Sequence, residues 1–129
     1  MNSKKKGSRG EREVSRLLKD HGFLESRRGQ QYQGSPESPD VVGLPGFHVE
    51  VKFLGSGLNV YNSLKQAELD AGDEDIPVVF YRKVSKVNRS LPWTVTLYAH
   101  DFVNLVKGTK NEMELEELAI DAGRACQVS

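Results

Sequence analysis

The chain reads as one mixed α/β domain, and three observations predict it. Residues 47–53 alternate strictly between apolar and polar side chains, the period of a strand with one buried face. The run "PVVFYR" (Pro77 to Arg82) is nearly continuous apolar, which suits a central strand covered on both sides. Two segments with helical spacing, about 9–20 and 59–72, flank these strands. The expected order is helix, three strands, helix, two strands, then two helices (α-β-β-β-α-β-β-α-α), with a central mixed sheet flanked by helices. At 129 residues the chain can bury one core and not two.

The first helix is expected from about Arg9 to Asp20, with Val14, Leu17, Leu18 and His21 on one stripe and Gly22 as its stop. A basic, frayed segment precedes it. Phe23 to Arg27 ("FLESR") reads as a short strand, and the polar run 28–38 as a mobile loop. Two strands follow, about Asp40 to Leu44 and Phe47 to Leu54. Between them Pro45 and Gly46 occupy the two central positions of a type II turn. Asn59 is placed to cap the second helix, which ends at Gly72 and turns Val60, Leu64, Ala67 and Ala71 inward. After the strand at 77–82 comes a basic loop with Lys83, Lys86 and Arg89, then a strand over "PWTVTLY" (Pro92 to Tyr98). A short helix over Asp101 to Val106 and a last helix over Asn111 to Ala122 complete the order. The expected organisation is a basic flexible start (1–8), a body (9–107) and an acidic C-terminal helix and tail (108–129).

Composition narrows the function classes. No apolar run approaches a membrane span, and residues 1–6 lack the apolar segment of a signal peptide. The single cysteine, Cys126, cannot form an internal disulfide, so a reducing cytoplasm is the expected setting. Net charge is zero, but its distribution is uneven. Residues 1–110 hold 17 of the 18 Lys and Arg against 13 of the 18 acids. The body is mildly basic and the tail acidic, which permits a polyanionic partner without demanding one.

The chemistry concentrates in "SPDVVGLPGFHVEVKF", residues 38–53. Phe47, Val49, Val51 and Phe53 share one face of the strand; His48, Glu50 and Lys52 share the other. Asp40 lies across the turn and can reach the same edge. Two carboxylates converging with a backbone carbonyl make an oxygen-rich pocket suited to Mg²⁺. A lysine beside it can hold the attacking water, and that set suffices to hydrolyse a phosphodiester.

Pro39-Asp40 followed by Glu50-Val51-Lys52 resembles the PD-(D/E)xK nuclease signature. "GEREVSRLLKDHGF" with Arg27 is similar to the opening of archaeal-type Holliday junction resolvases. Together with "RRGQQY", "SPDVVGLPG", "HVEVK" and "LNVYNSLKQAELDA", the chain resembles small phage and prophage resolvase-like endonucleases over roughly residues 8–105. The resemblance implies a restriction-endonuclease-like domain and a metal-dependent, structure-selective DNA endonuclease. Asp40 and Glu50 would then be metal ligands with the Val51 carbonyl, and Lys52 the catalytic lysine. Glu11 would be the additional acid, reaching the metal directly or through water. Arg27 and Arg28 would hold phosphates, and Gln66 would be the polar residue on the helix after the motif, toward DNA. Mg²⁺ is the implied cofactor with Mn²⁺ as its substitute. Branched DNA is the implied partner, and two symmetric cuts imply a homodimer.

Each residue also has a plainer reading. Glu50 and Lys52 could form an exposed ion-paired strand face, and Asp40 could simply start a turn. Glu11 closes a match to a capping box, Ser8-Arg9-Gly10-Glu11, and cap and site stay open for it. His48 is taken as a polar neighbour and not a ligand; Glu13 lies on the opposite edge of the helical stripe. Lys83, Lys86 and Arg89 suit a solvated loop or a DNA-tracking edge equally. The competing functions are a general, nicking or flap endonuclease and, from another class, a non-catalytic DNA-binding module on the same fold. One geometric condition stands out. A regular two-residue hairpin would pair Asp40 with Val51 and turn Asp40 away from Glu50. The site requires a three-residue loop or a bulge that shifts the register by one.

Overall fold

The computed structural model describes residues 3–29, 39–55, 57–87 and 91–128. The elements are α1 (Ser3–Asp20), β1 (Arg27–Arg28), β2 (Val41–Val42), β3 (Phe47–Leu54), α2 (Val60–Ala71), β4 (Ile76–Lys83), β5 (Thr94–Thr96) and α3 (Ala99–Val128). The strands form one mixed sheet in the order β1-β2-β3-β4-β5. Only β3 and β4 are parallel, joined through α2; the other neighbours are antiparallel. The chain divides into two compact units, 1–97 and 98–129.

In the first unit, α1 and α2 cover opposite faces of the sheet. On the α1 side Val14 and Leu18 pack on Val41, Val49, Val51, Val78 and Phe80. The alternation of β3 supplies this face as the sequence predicts. Gly10 lets α1 approach closely, since a Cβ there would stand 2.9 Å from Phe53 Cβ and 3.2 Å from Val51 Cγ1. On the α2 side Leu64 and Ala67 are buried, and Val79 shares that face of β4.

Helix ends follow their capping residues. Phe23 N–H donates to Leu18 O at 3.0 Å and Gly22 N–H to Lys19 O at 3.0 Å, the paired bonds of a Schellman stop. Asn59 caps α2 by accepting from Asn62 N–H at 3.1 Å, and Gly72 N–H closes the other end on Glu68 O.

Several boundaries differ from the sequence expectation, and two strands are shorter than expected: β2 is Val41–Val42 and β5 is Thr94–Thr96. α1 starts at Ser3 and not near Arg9; Gly7 and Gly10 both take helical φ, so neither breaks it. The segment 23–26 is a turn closed by Ser26 N–H on Phe23 O, which moves β1 to Arg27–Arg28. The two C-terminal helices are one, α3. Gly108 keeps negative φ, and Thr109 Oγ1 donates to Leu105 O at 3.1 Å in the helical turn. A glycine costs a helix about 1 kcal/mol, too little to end one without a proline. None of the described helices is long and apolar enough to cross a membrane.

Candidate metal and catalytic site

The site is built on the register of β2 against β3. Val41 pairs with Val49, one residue away from the pairing of a two-residue hairpin. Extended to the turn, that register leaves Leu44, Pro45 and Gly46 as a three-residue connection. Phe47 N–H bonds Leu44 O at 3.3 Å, and Gly46 has φ 84°, which a side chain would disfavour. Gly43 (φ 96°) fits for a second reason: a Cβ would sit 2.5 Å from Glu25 O and Ser26 Cα.

This register brings Asp40 beside Glu50, within hydrogen-bond reach of it. The Asp40 amide donates to Val49 O at 2.9 Å. Its Oδ2 accepts from Val51 N–H at 2.8 Å. In an extended strand the N–H and C=O of one residue point to the same side. The Val51 carbonyl therefore faces the gap that Asp40 occupies, past the end of the β2 ladder. Lys52 projects from the same face of β3 as Glu50, close enough to favour its ionised form.

Glu50 is 9% exposed. Burial, then the charge of Asp40 and the hydrogen bond with Asp40, push its pKa up to about 8, against a smaller opposing pull from Lys52. Near neutral pH Glu50 therefore favours its protonated form, because its charge would be both buried and set beside a second carboxyl. Glu11 approaches from the α1 side. Burial raises its pKa, the Arg28 hydrogen bond opposes this, and Asp40 raises it again. Ser8 lies inside α1, so the capping-box reading of Glu11 fails. Glu11 instead accepts from Arg28 Nε at 2.8 Å, and Ser8 Oγ accepts from the same guanidinium at 3.2 Å.

His48 and Asp70 are the residues sequence reasoning passed over. His48 is 3% exposed, with Nε2 3.0 Å from Glu50 Oε1. Burial lowers its pKa, while Asp70, Asp40 and Asp75 pull it back up. Asp70 comes from α2; one ligand atom each of His48, Glu50 and Asp70 lies within 4.8 Å of the others. Asp70 sits three positions beyond the buried Ala67, on the inward stripe of α2. That spacing was the available signal.

The expected DNA-contact residues are dispersed. Arg27 is exposed on β1, whereas Arg28 is engaged with Glu11. Gln66 Nε2 donates to both carboxylate oxygens of Asp70, at 3.2 and 3.0 Å. Lys83 and Lys86 line a cleft of about 310 Å³ with Arg9, Phe53, Arg82 and Ser85. Arg89 and most of the loop at 28–38 lie outside the described residues. Glu13, on the other edge of α1, accepts from Arg82, from Arg9 Nε at 3.1 Å and from Trp93 Nε1 at 3.3 Å.

No protein-family model matches the chain, and neither does any curated protein or solved structure.

Proposed function

We propose that the chain is a metal-dependent DNA endonuclease of the PD-(D/E)xK type with a restriction-endonuclease-like fold. The observation that carries this reading is the meeting of Asp40, Glu50 and Lys52 at one edge of β3, produced by the shifted β2–β3 register. The mixed sheet, with its parallel β3–β4 pair and a helix on each face, supports the fold assignment.

The donor set fits a hard divalent cation. Asp40 and Glu50 offer carboxylate oxygens and Val51 a carbonyl oxygen, the ligand types of Mg²⁺ or Mn²⁺. Such an ion supplies a Lewis acid for the phosphodiester and lowers the pKa of bound water. The protein's own groups do the rest. The Val51 N–H fixes Asp40 through Oδ2, so its carboxylate is oriented before substrate arrives. Lys52 brings three N–H donors to the same face, where it orients the attacking water and balances negative charge building on the phosphoryl oxygens. Glu11, held by Arg28, closes the edge from the opposite side.

The substrate class proposed is branched DNA, cut by a homodimer whose two-fold axis relates the paired cuts. The test is cleavage of labelled four-way junction, flap and linear duplex with Mg²⁺. Paired symmetric cuts favouring the junction support resolution. Equal cutting of all three supports a general endonuclease. Binding without cleavage supports the non-catalytic module and overturns the reading.

A further inference from the structure

We propose that His48, Glu50 and Asp70 form a second divalent-cation site, which shares Glu50 with the first and selects an ion that accepts an imidazole nitrogen. The inference rests on the reading above for the first ion and adds a different donor set for the second.

The argument begins with geometry. His48 and Glu50 are two residues apart on β3, so both project toward α2. Asp70 meets them from the last turn of α2. The three donor atoms fall within 4.8 Å of one another; ligands of one ion at bond lengths of about 2.1 Å stand roughly 3.4 Å apart. Rotamer adjustment within the cluster covers the difference. His48 Nε2 and Glu50 Oε1 are already 3.0 Å apart. On binding, the imidazole proton resides on Nδ1 and the Nε2 lone pair turns to the ion.

The surroundings are those of a cation site. Gln66 Nε2 holds both oxygens of Asp70, the kind of outer contact that orients a metal-bound carboxylate. Asp40 and Asp75 add negative charge within electrostatic reach of His48, and Lys52 is the cation acting on Glu50. The last turn of α2 has no basic residue, so the negative end of its dipole adds to the same potential. One nitrogen and two carboxylates favour Mn²⁺ or Zn²⁺ over Mg²⁺, which prefers oxygen and water.

The experiment loads the full chain with Mn²⁺, counts bound ions by electron paramagnetic resonance, and looks for ¹⁴N coupling in the electron spin-echo modulation. The expected result is two ions, one carrying nitrogen coupling. His48→Gln abolishes the coupling, and His48→Gln or Asp70→Asn lowers the count to one. Asp70 is only half-buried, so its variant keeps the test open if the buried His48 change prevents folding. Asp40→Asn should remove the other ion and leave the coupling intact. Absence of nitrogen coupling, or an unchanged count in both variants, reduces the cluster to a structural hydrogen-bond network and overturns the proposal. A single nitrogen-coupled ion that is lost with Asp40→Asn as well as with His48→Gln also overturns it, by placing His48 in the first site. Loss of an ion with His48→Gln but not with Asp40→Asn would instead overturn the first site and leave this one standing.

Discussion

Replacing Glu50 by Gln should stabilise the metal-free protein at alkaline pH. In the fold Glu50 has a pKa of about 8 against the ordinary 4.5. A raised carboxyl binds more protons folded than unfolded. Its contribution to stability is therefore greatest below pH 4.5 and is lost as pH rises toward 8. The ceiling on that loss is roughly 5 kcal/mol, at about 1.4 kcal/mol for each unit. The Glu50 side chain is 12% exposed, and relaxation with water penetration brings the expected loss to about 2 kcal/mol. Gln keeps the shape and can still bond His48, but it has no charge to desolvate. Burial lowers the His48 pKa, which gives the opposite slope. That contribution is present above pH 6.5 and lost as pH falls, so the comparison is decided at pH 8, above the titration of His48 in either state. The assay is urea denaturation with a chelator from pH 5 to 9. The variant should be more stable than the parent by about 2 kcal/mol at pH 8 and converge with it toward pH 5. Equal stability at pH 8, or a less stable variant, would refute the buried paired-acid account.

Lys52→Ala should lower the cleavage rate by about 10²- to 10⁴-fold with little change in melting temperature, measured under single turnover. Gly10→Ala should cost about 1–3 kcal/mol in urea denaturation, because the new Cβ meets Phe53 Cβ at 2.9 Å and must lift α1 from β3. Asn59→Ala should cost about 1 kcal/mol by removing the cap on Asn62 N–H.

How much of this was legible in the sequence depends on how local the cause is. β3 spans Phe47–Leu54 as its alternation indicates, because period and burial agree along the whole strand. α2 is bounded by Asn59 and Gly72, where cap chemistry acts on the nearest peptide groups. The connection between β2 and β3 could be argued only from what the site would need, since the turn residues fit more than one register. The start of α1 was not legible: the basic run before Arg9 was read as a frayed segment, whereas the helix begins at Ser3, and like charges in a row do not by themselves mark an end. The two C-terminal helices expected at 101–106 and 111–122 are one, α3, because the residues between them, Gly108 included, do not force a stop. Asp70 was missed because its partners are distant in sequence. The i, i+4 bond from Gln66 to Asp70 concerns one helix, whereas the approach of Asp70 to His48 and Glu50 is a product of the β3-α2-β4 crossover. The bond from Arg28 to Glu11 is likewise set by the fold, since the two residues lie on different elements.

The central claim is that Asp40 and Glu50 meet across the shifted register to hold the ion with which Lys52 works. Its most direct test is the Mg²⁺ dependence of DNA cleavage by the parent, Asp40→Asn and Glu50→Gln proteins, each shown to be folded. The account predicts saturable, chelator-sensitive cleavage by the parent and its loss in both variants at any Mg²⁺ concentration. Cleavage that persists in either variant at the parental Mg²⁺ requirement would contradict it.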